Sequence, residues 1–191
     1  MPRFAPFLAA LRDPARWRRW LIEALILIAI VGAVTVWQNH GLPEGAAPQL
    51  VGLRTDGATE DLGKKVSAGG TATLVVFWAT WCPFCRAEED NIVAVAADWP
   101  VVSVALQSGD PHAVAQYLKE RGVDLPAVVD DDGFIAAAWR VRGTPTHFIL
   151  DPAGRIRFRV VGYATEWGLR FRLWWASRFP ADNARENQGE Y

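Results

Sequence analysis

Hydrophobic and polar positions divide the chain into one long apolar run near its amino terminus and a series of shorter, periodic segments. The long run covers residues 21–37 and contains a single ionisable group, Glu23. At ~1.5 Å per residue, a helix of this length is about 25 Å long, slightly shorter than the ~30 Å hydrocarbon layer of a bilayer. Trp20 and Trp37 flank the run, where interfacial aromatic residues belong. We therefore predict a transmembrane helix over residues 21–37.

The chain beyond residue 49 alternates between strand-like and helix-like periodicity. The wholly apolar run at residues 73–78 predicts a strand buried on both faces, and residues 86–97 have the composition of a helix. Similar patterns predict a hairpin around residues 56–57, strands at residues 100–106, within 125–133, at 146–150 and at 156–161, and helices at residues 110–122, 134–141 and 166–178. Residues 156–161 alternate as a half-exposed strand should. The element order predicts an α/β domain around a central sheet of four or five strands.

Composition gives the expected boundaries of these regions. Residues 38–49 contain two prolines and two glycines without periodicity, which predicts a flexible tether. Residues 180–191 are polar enough to form a loose tail. The predicted regions are a basic amino-terminal segment at residues 1–20, the transmembrane helix at 21–37, the tether at 38–49, the folded domain at 50–179 and the tail at 180–191.

The formal net charge of −1 is unevenly distributed along the chain. Residues 1–20 contain five arginines and one aspartate, directly before the apolar run. This excess of arginine predicts that the amino terminus stays in the cytoplasm and that the folded domain is exported. We expect a single-pass membrane protein with its domain outside the cytoplasm, where nucleic acid is not an expected partner. A cleaved signal peptide and a buried core helix are the alternatives for the apolar run.

The two cysteines of the chain, Cys82 and Cys85, lie where the predicted strand turns into the predicted helix, in the stretch WATWCPFCR. Unpaired N–H groups and the macrodipole at a helix N-terminus stabilise a thiolate, so Cys82 is predicted to be an exposed nucleophile of low pKa. Cys85, one turn further along, is predicted to be the sheltered sulfur that attacks a mixed disulfide formed at Cys82. Pro83 fits the first helical turn because it has no N–H to lose there.

Two other uses of the cysteine pair are possible. A structural zinc site usually needs four ligands, and the chain offers two cysteines and three scattered histidines. A purely structural disulfide across two residues would close too small a loop to remove much unfolded-state entropy. The pattern favours a redox dithiol, with no metal and no cofactor other than the Cys82–Cys85 disulfide.

The stretch WATWCPFCR after an apolar strand resembles the active site of the thioredoxin fold, in the membrane-tethered branch that includes the cytochrome c maturation thioredoxins. A second signature is the pair Thr144-Pro145 in VRGTPT. Residues 102–110, 142–146 and 165–176 are similar to the thioredoxin-like member of bacterial suppressor-of-copper-sensitivity systems. The resemblance implies a thioredoxin fold, in which helices flank a central mixed sheet.

The resemblance also implies roles for individual residues. Cys82 is expected to attack and Cys85 to resolve. The Thr144-Pro145 bond is expected to be cis and to face the dithiol, where the neighbouring backbone can pair with an extended partner peptide. The implied substrate-binding residues are Trp81, Pro83, Phe84, Thr144 and Pro145.

One departure from the family pattern concerns the base that deprotonates the resolving thiol. Many thioredoxins carry a buried aspartate where this chain has Val76, so that role is unassigned. Related tethered thioredoxins have a glutamate in the form C-R-x-E, which Glu88 matches and which makes it a candidate for the base. Glu88 lies six residues after Cys82 and points largely away from it on a helical wheel, so a surface salt bridge is the expected role. His147 is expected to be a hydrogen-bonded, partly buried histidine rather than a base or a metal ligand.

Together with the resemblance, these features favour a protein disulfide oxidoreductase that acts as a monomer on periplasmic proteins with cysteines or disulfides. The resemblance implies a single-pass anchor in the bacterial inner membrane, with the folded domain in the periplasm. A reducing direction is expected because Pro83 and Phe84 bring no cation that would stabilise the reduced thiolate. The family implies a transmembrane thiol-relay protein as electron donor. The alternatives are a periplasmic disulfide oxidase and a copper(I)-binding module for copper tolerance, since soft thiolates suit that ion.

Overall fold

The computed structural model describes residues 14–181, which divide after His40 into two compact units. The first unit contains one helix, α1 (Pro14–Asn39), at the place where a helix was predicted. Over the described residues, no helix is both long and apolar enough to cross a membrane, so the prediction of a membrane span at residues 21–37 is not supported. Most of the predicted basic segment and of the predicted tail, at residues 1–13 and 182–191, lies outside the described residues.

The second unit contains eight strands and five helices among the described residues. Its strands are β1 (Gly45–Ala46), β2 (Val51–Leu53), β3 (Thr59–Asp61), β4 (Thr73–Trp78), β5 (Val101–Leu106), β6 (Ala127–Asp130), β7 (Thr146–Leu150) and β8 (Arg155–Val161). Its helices are α2 (Leu62–Gly69), α3 (Pro83–Ala96), α4 (Pro111–Arg121), α5 (Phe134–Ala138) and α6 (Glu166–Arg178). The predicted hairpin is confirmed as the antiparallel pair β2 and β3.

The central sheet has the strand order β1-β8-β7-β4-β5-β6. Strands β4, β5 and β6 run parallel, whereas β7 and β8 pair antiparallel, so the sheet is mixed. Five of its strands were predicted, and the sixth is the two-residue β1. This arrangement confirms the predicted thioredoxin-like α/β class.

Strand β4 lies in the middle of the sheet, and all six of its residues are buried. Phe77 faces a core that contains Trp139 and Phe148, whose rings stack edge-to-face with a centroid distance of 4.8 Å. Val76 faces a second core, formed with residues of α3 and α6. A strand that is covered on both faces can be apolar throughout, which explains the uninterrupted run in the sequence.

Packing of the domain begins before residue 50, inside the segment predicted to be a tether. Leu42 and Leu50 belong to the core, and β1 pairs with the outer edge of β8. Arg159 donates to the carbonyl oxygen of Leu42 at 3.2 Å and forms an ion pair with Glu44 at 2.7 Å. These contacts tie residues 42–46 to the sheet.

Strand β8 does not show the predicted alternation between buried and exposed positions. All seven of its residues are half-buried. Ile156 and Val161 pack against one core and Phe158 and Val160 against the other. Both faces of the strand are therefore partly covered, and neither is open to solvent.

Candidate functional site

The cysteine pair lies at the junction between β4 and α3, as predicted. Cys82 is the N-cap residue of α3, and Pro83 is its first helical residue. The Cys82 sulfur accepts a hydrogen bond from the backbone N–H of Cys85 at 3.1 Å. An N-terminal amide of the helix therefore points at this sulfur, which is the arrangement that favours a thiolate in the reduced protein.

Cys82 and Cys85 form a disulfide bond, with a Cα–Cα distance of 5.3 Å. The prediction that Cys82 is exposed is wrong for this oxidised form, because Cys82 is 2 % exposed and Cys85 3 %. The cause is the loop that precedes β7: the Cys82 sulfur lies 3.5 Å from the carbonyl oxygen of Thr144. The Thr144-Pro145 bond is cis, as the family resemblance implied.

An exposed apolar rim surrounds the buried disulfide. Trp81 and Phe84 are 58 % and 64 % exposed, and Pro83 between the cysteines is also exposed. The indole N–H of Trp81 donates to the carbonyl oxygen of Gln107 at 3.0 Å, which fixes the ring beside the site. On the opposite side Thr144 is half-buried and Pro145 is buried.

Glu88 is the functional candidate that the sequence placed incorrectly. Its side chain is buried, with 1 % of the residue exposed, and forms no surface salt bridge. One carboxylate oxygen accepts from the backbone N–H of Ala164 at 2.9 Å, and the other lies 3.0 Å from Nε2 of His147. Glu88 is six residues from Cys82 but only three from Cys85, and residues at the shorter spacing share a helix face.

His147 is hydrogen-bonded on both ring nitrogens, as predicted, but is fully buried rather than partly buried. Its Nδ1 lies 3.2 Å from the carbonyl oxygen of Val160 on the neighbouring strand. In the register of β4 and β7, His147 pairs with Val76, the position where the family often has an aspartate. A histidine on the sheet and a glutamate on the helix therefore lie next to that apolar position.

A small cavity of about 30 Å³ is lined by both Glu88 and Cys85. Its volume is enough for about two water molecules. The lining includes Val76, Trp78, Cys85, Glu88 and Ser103. Cys85 and Glu88 therefore line one cavity that has room for water.

Glu89 also lines this cavity, but its carboxylate is held by another helix. The hydroxyl of Tyr117 donates to one oxygen at 2.7 Å, and Arg121 forms an ion pair with the other at 2.8 Å. Burial, followed by the hydrogen bond to Glu89, raises the pKa of Tyr117 to about 12. The hydroxyl thus remains a donor at neutral pH, and this network leaves Glu88 as the better placed acceptor for a proton from Cys85.

Residues 43–159 of the chain match the model of the AhpC/TSA family. A thioredoxin-like protein of Haemophilus influenzae is 37 % identical over 108 residues, which are 56 % of this chain and 64 % of that protein. The thiol:disulfide interchange protein HelX of Rhodobacter capsulatus is 34 % identical over 153 residues, covering 76 % of this chain and 87 % of HelX.

A crystal structure of a thioredoxin-family thiol:disulfide interchange protein from Chlorobium tepidum aligns with a TM-score of 0.60 and 26 % identity. The alignment covers 70 % of this chain and 97 % of that one. The chain spans slightly less than two thirds of the length of the Haemophilus relative.

Proposed function

The chain belongs to the AhpC/TSA family, and from this membership and the geometry of the cysteine pair we propose that it is a thiol:disulfide oxidoreductase acting on protein cysteines. The observation that carries the proposal is the position of Cys82. Its sulfur caps a helix, accepts the N–H of Cys85, and is bonded to the Cys85 sulfur. A dithiol in this position can exchange with a client disulfide through a mixed-disulfide intermediate.

The reaction in the reducing direction takes two exchange steps. The Cys82 thiolate attacks one sulfur of a client disulfide, and the other client sulfur leaves as a thiolate. Cys85 then loses its proton to Glu88 and attacks the Cys82 sulfur, which releases the second client thiolate and forms the Cys82–Cys85 disulfide. Two electrons pass from the dithiol to the client. The client thiolates take up two protons, one that comes from Cys85 by way of Glu88 and one from solvent, which replaces the proton that Cys82 lost on ionising.

The surface around the disulfide supports an extended protein segment as substrate. Trp81, Pro83 and Phe84 offer apolar contact area, and the loop at Thr144-Pro145 brings a backbone carbonyl to the sulfur. A client chain that lies along this loop can pair with its backbone while its sulfur approaches Cys82. The clients are proposed to be periplasmic proteins with cysteines or disulfides, and a membrane thiol-relay protein is the proposed electron donor.

Insulin reduction by the full-length protein in detergent, with dithiothreitol as electron source, tests the activity and its direction. The wild type is expected to precipitate insulin chains well before dithiothreitol alone does, and Cys82→Ser is expected to match the background. Oxidation of a reduced peptide without insulin reduction would instead support the oxidase. The copper-binding alternative would be favoured if the wild type binds copper(I) tightly while the Cys85→Ala variant forms no mixed disulfide.

We also propose that the domain is held at the periplasmic side of the cytoplasmic membrane by α1. The apolar side chains of this helix are exposed at residues 17–30 and 32–34, where the structure describes them, for example Trp20, Leu25 and Ile28 at 64–75 %, and five arginines precede the apolar run. The full-length chain is expected in the membrane fraction of cells, where detergent releases it and salt does not. A chain that lacks residues 1–40 is the control. Recovery of the full-length chain in the supernatant without detergent would contradict the proposal.

A further inference from the structure

The hydrogen bonds of His147 fix where its protons are. Nδ1 lies 3.2 Å from the carbonyl oxygen of Val160. A carbonyl oxygen can only accept, so Nδ1 carries a hydrogen. The other nitrogen, Nε2, lies 3.0 Å from Oε1 of Glu88, and a hydrogen bond at this distance needs one hydrogen between the two atoms.

While Glu88 and His147 share a single proton, two arrangements satisfy both contacts. Either a neutral carboxyl group donates to a neutral imidazole, or an imidazolium donates to a carboxylate. The second carboxylate oxygen accepts from the N–H of Ala164, which favours the ionised carboxylate. Both states have no net charge, and both hold one proton that can move between Glu88 and His147.

The surroundings offer this pair no other charged partner among the described residues that pack against it. The ionisable groups at the adjoining cavity are Cys85, Glu88 and Glu89, and Glu89 is already bound by Tyr117 and Arg121. From the loop after β8, the half-exposed Tyr163 hydroxyl accepts from the side chain of Asn91. A carboxylate buried here without a cationic partner would be costly, and its neutral form could not accept a proton.

We infer that His147 is the positioning residue that keeps Glu88 ionised, so that Glu88 can take the proton of Cys85 in the resolving step. Before the step the three groups are a thiol, a carboxylate and an imidazolium. After it they are a thiolate, a carboxylic acid and an imidazolium. Their summed charge is zero in both states, so no net charge develops in the buried site. The inference rests on the proposed exchange reaction and adds a second residue to its proton transfer.

The thiolate formed on Cys85 is consumed when it attacks the Cys82 sulfur. The client sulfur then leaves with the electron pair of the broken mixed disulfide and takes up a proton. Glu88 releases the proton that it received, which balances that uptake and restores the carboxylate beside His147. No co-reactant other than the client disulfide is needed.

The test compares the two exchange steps separately in the full-length protein and in His147→Gln. Glutamine can donate a hydrogen bond to Glu88 but cannot carry the positive charge of the His147 imidazolium. The reduced protein is mixed with an aromatic disulfide whose thiolate is coloured, so that two successive releases report the attack by Cys82 and the resolution by Cys85. We expect the second release to slow by about tenfold at neutral pH and to recover as the pH rises, because hydroxide then deprotonates Cys85.

The rate of the first release in His147→Gln is expected to stay within about twofold of the rate in the wild type. Equal slowing of both releases at every pH, or an unchanged second release, would overturn the inference. If the wild type itself gives no first release, the proposed function fails and not merely the role of His147.

A measurement on the wild type keeps the inference testable if His147→Gln does not fold. Nitrogen-15 spectra of the reduced protein at neutral pH are expected to show both ring nitrogens of His147 protonated. The two other histidines, His40 and His112, are exposed and can be replaced in turn to assign the signals. A His147 ring with a single protonated nitrogen would overturn the inference.

Discussion

Replacing Cys82 with serine is expected to abolish disulfide reduction, with a loss in turnover of about 10³-fold or more. A serine hydroxyl is not ionised at neutral pH, so the N-terminal amides of α3 have no thiolate to stabilise. Serine is itself a preferred N-cap residue, and the start of the helix should therefore survive the substitution. Insulin reduction measures the activity, and thermal unfolding of both reduced proteins checks that the fold is retained. A Cys82→Ser protein with more than a tenth of wild-type activity would be inconsistent with attack by this sulfur.

Cys85→Ala is the matched variant, and it is expected to stop the reaction one step later. Turnover is lost to the same extent because no second sulfur can resolve the mixed disulfide. The client nevertheless remains attached to Cys82. Loss of turnover without an attached client would show that Cys85, and not Cys82, makes the first attack.

The second large effect is expected for Glu88→Gln, which should slow the resolving step by about 10²-fold at neutral pH. The amide has nearly the shape of the carboxylate and can still accept the N–H of Ala164, but it cannot take a proton from Cys85. The release of the second coloured thiolate measures this step, and the defect is expected to shrink as the pH rises. The attack by Cys82 should be little affected.

Glu89→Gln is the control for this variant. It removes the same charge from the next position of α3, at the same cavity, but its carboxylate belongs to the network of Tyr117 and Arg121. We expect a resolving rate within about threefold of the wild type. If the two variants slow the resolving step equally, the electrostatic field of the α3 carboxylates, rather than proton transfer to Glu88, would set the rate of that step.

Much of this site could be predicted from local sequence because local physics determines it. A six-residue apolar run followed by Cys-Pro fixes β4, the turn and the start of α3, and the N-cap position of Cys82 follows from these elements. The helix at Pro111–Arg121 was predicted from its Asp110 cap and its Gly122 end for the same reason. The contact between Thr144 and Cys82 is different in kind, since only the family resemblance indicated a contact across 62 residues.

The position of Glu88 could not be derived in the same way. On an isolated helix Glu88 is a polar residue among polar neighbours, and its burial depends on β7 and the loop at Ala164, which supply its hydrogen-bond partners. The sequence did contain one usable signal, the three-residue spacing from Cys85. The same histidine that completes the site, His147, looked like an ordinary strand residue because its partners come from β8 and α3.

Two structural elements were missed because their sequences are too short to show a period. Helix α2 has only two buried residues, Leu62 and Val66, and depends on Asp61, whose side chain caps it by accepting from the N–H of Lys64. Strand β1 is two residues long and forms only because the edge of β8 is available for pairing. Tertiary contacts rather than intrinsic propensity therefore determine both elements.

The most direct test of the account is the identity of the covalent complex that the Cys85→Ala protein forms with a disulfide-containing peptide. The reduced variant is incubated with the peptide, quenched with acid and mapped by mass spectrometry. We expect one peptide chain joined to Cys82 by a disulfide bond that dithiothreitol cleaves. A protein that is folded and reduced but forms no such adduct would contradict it.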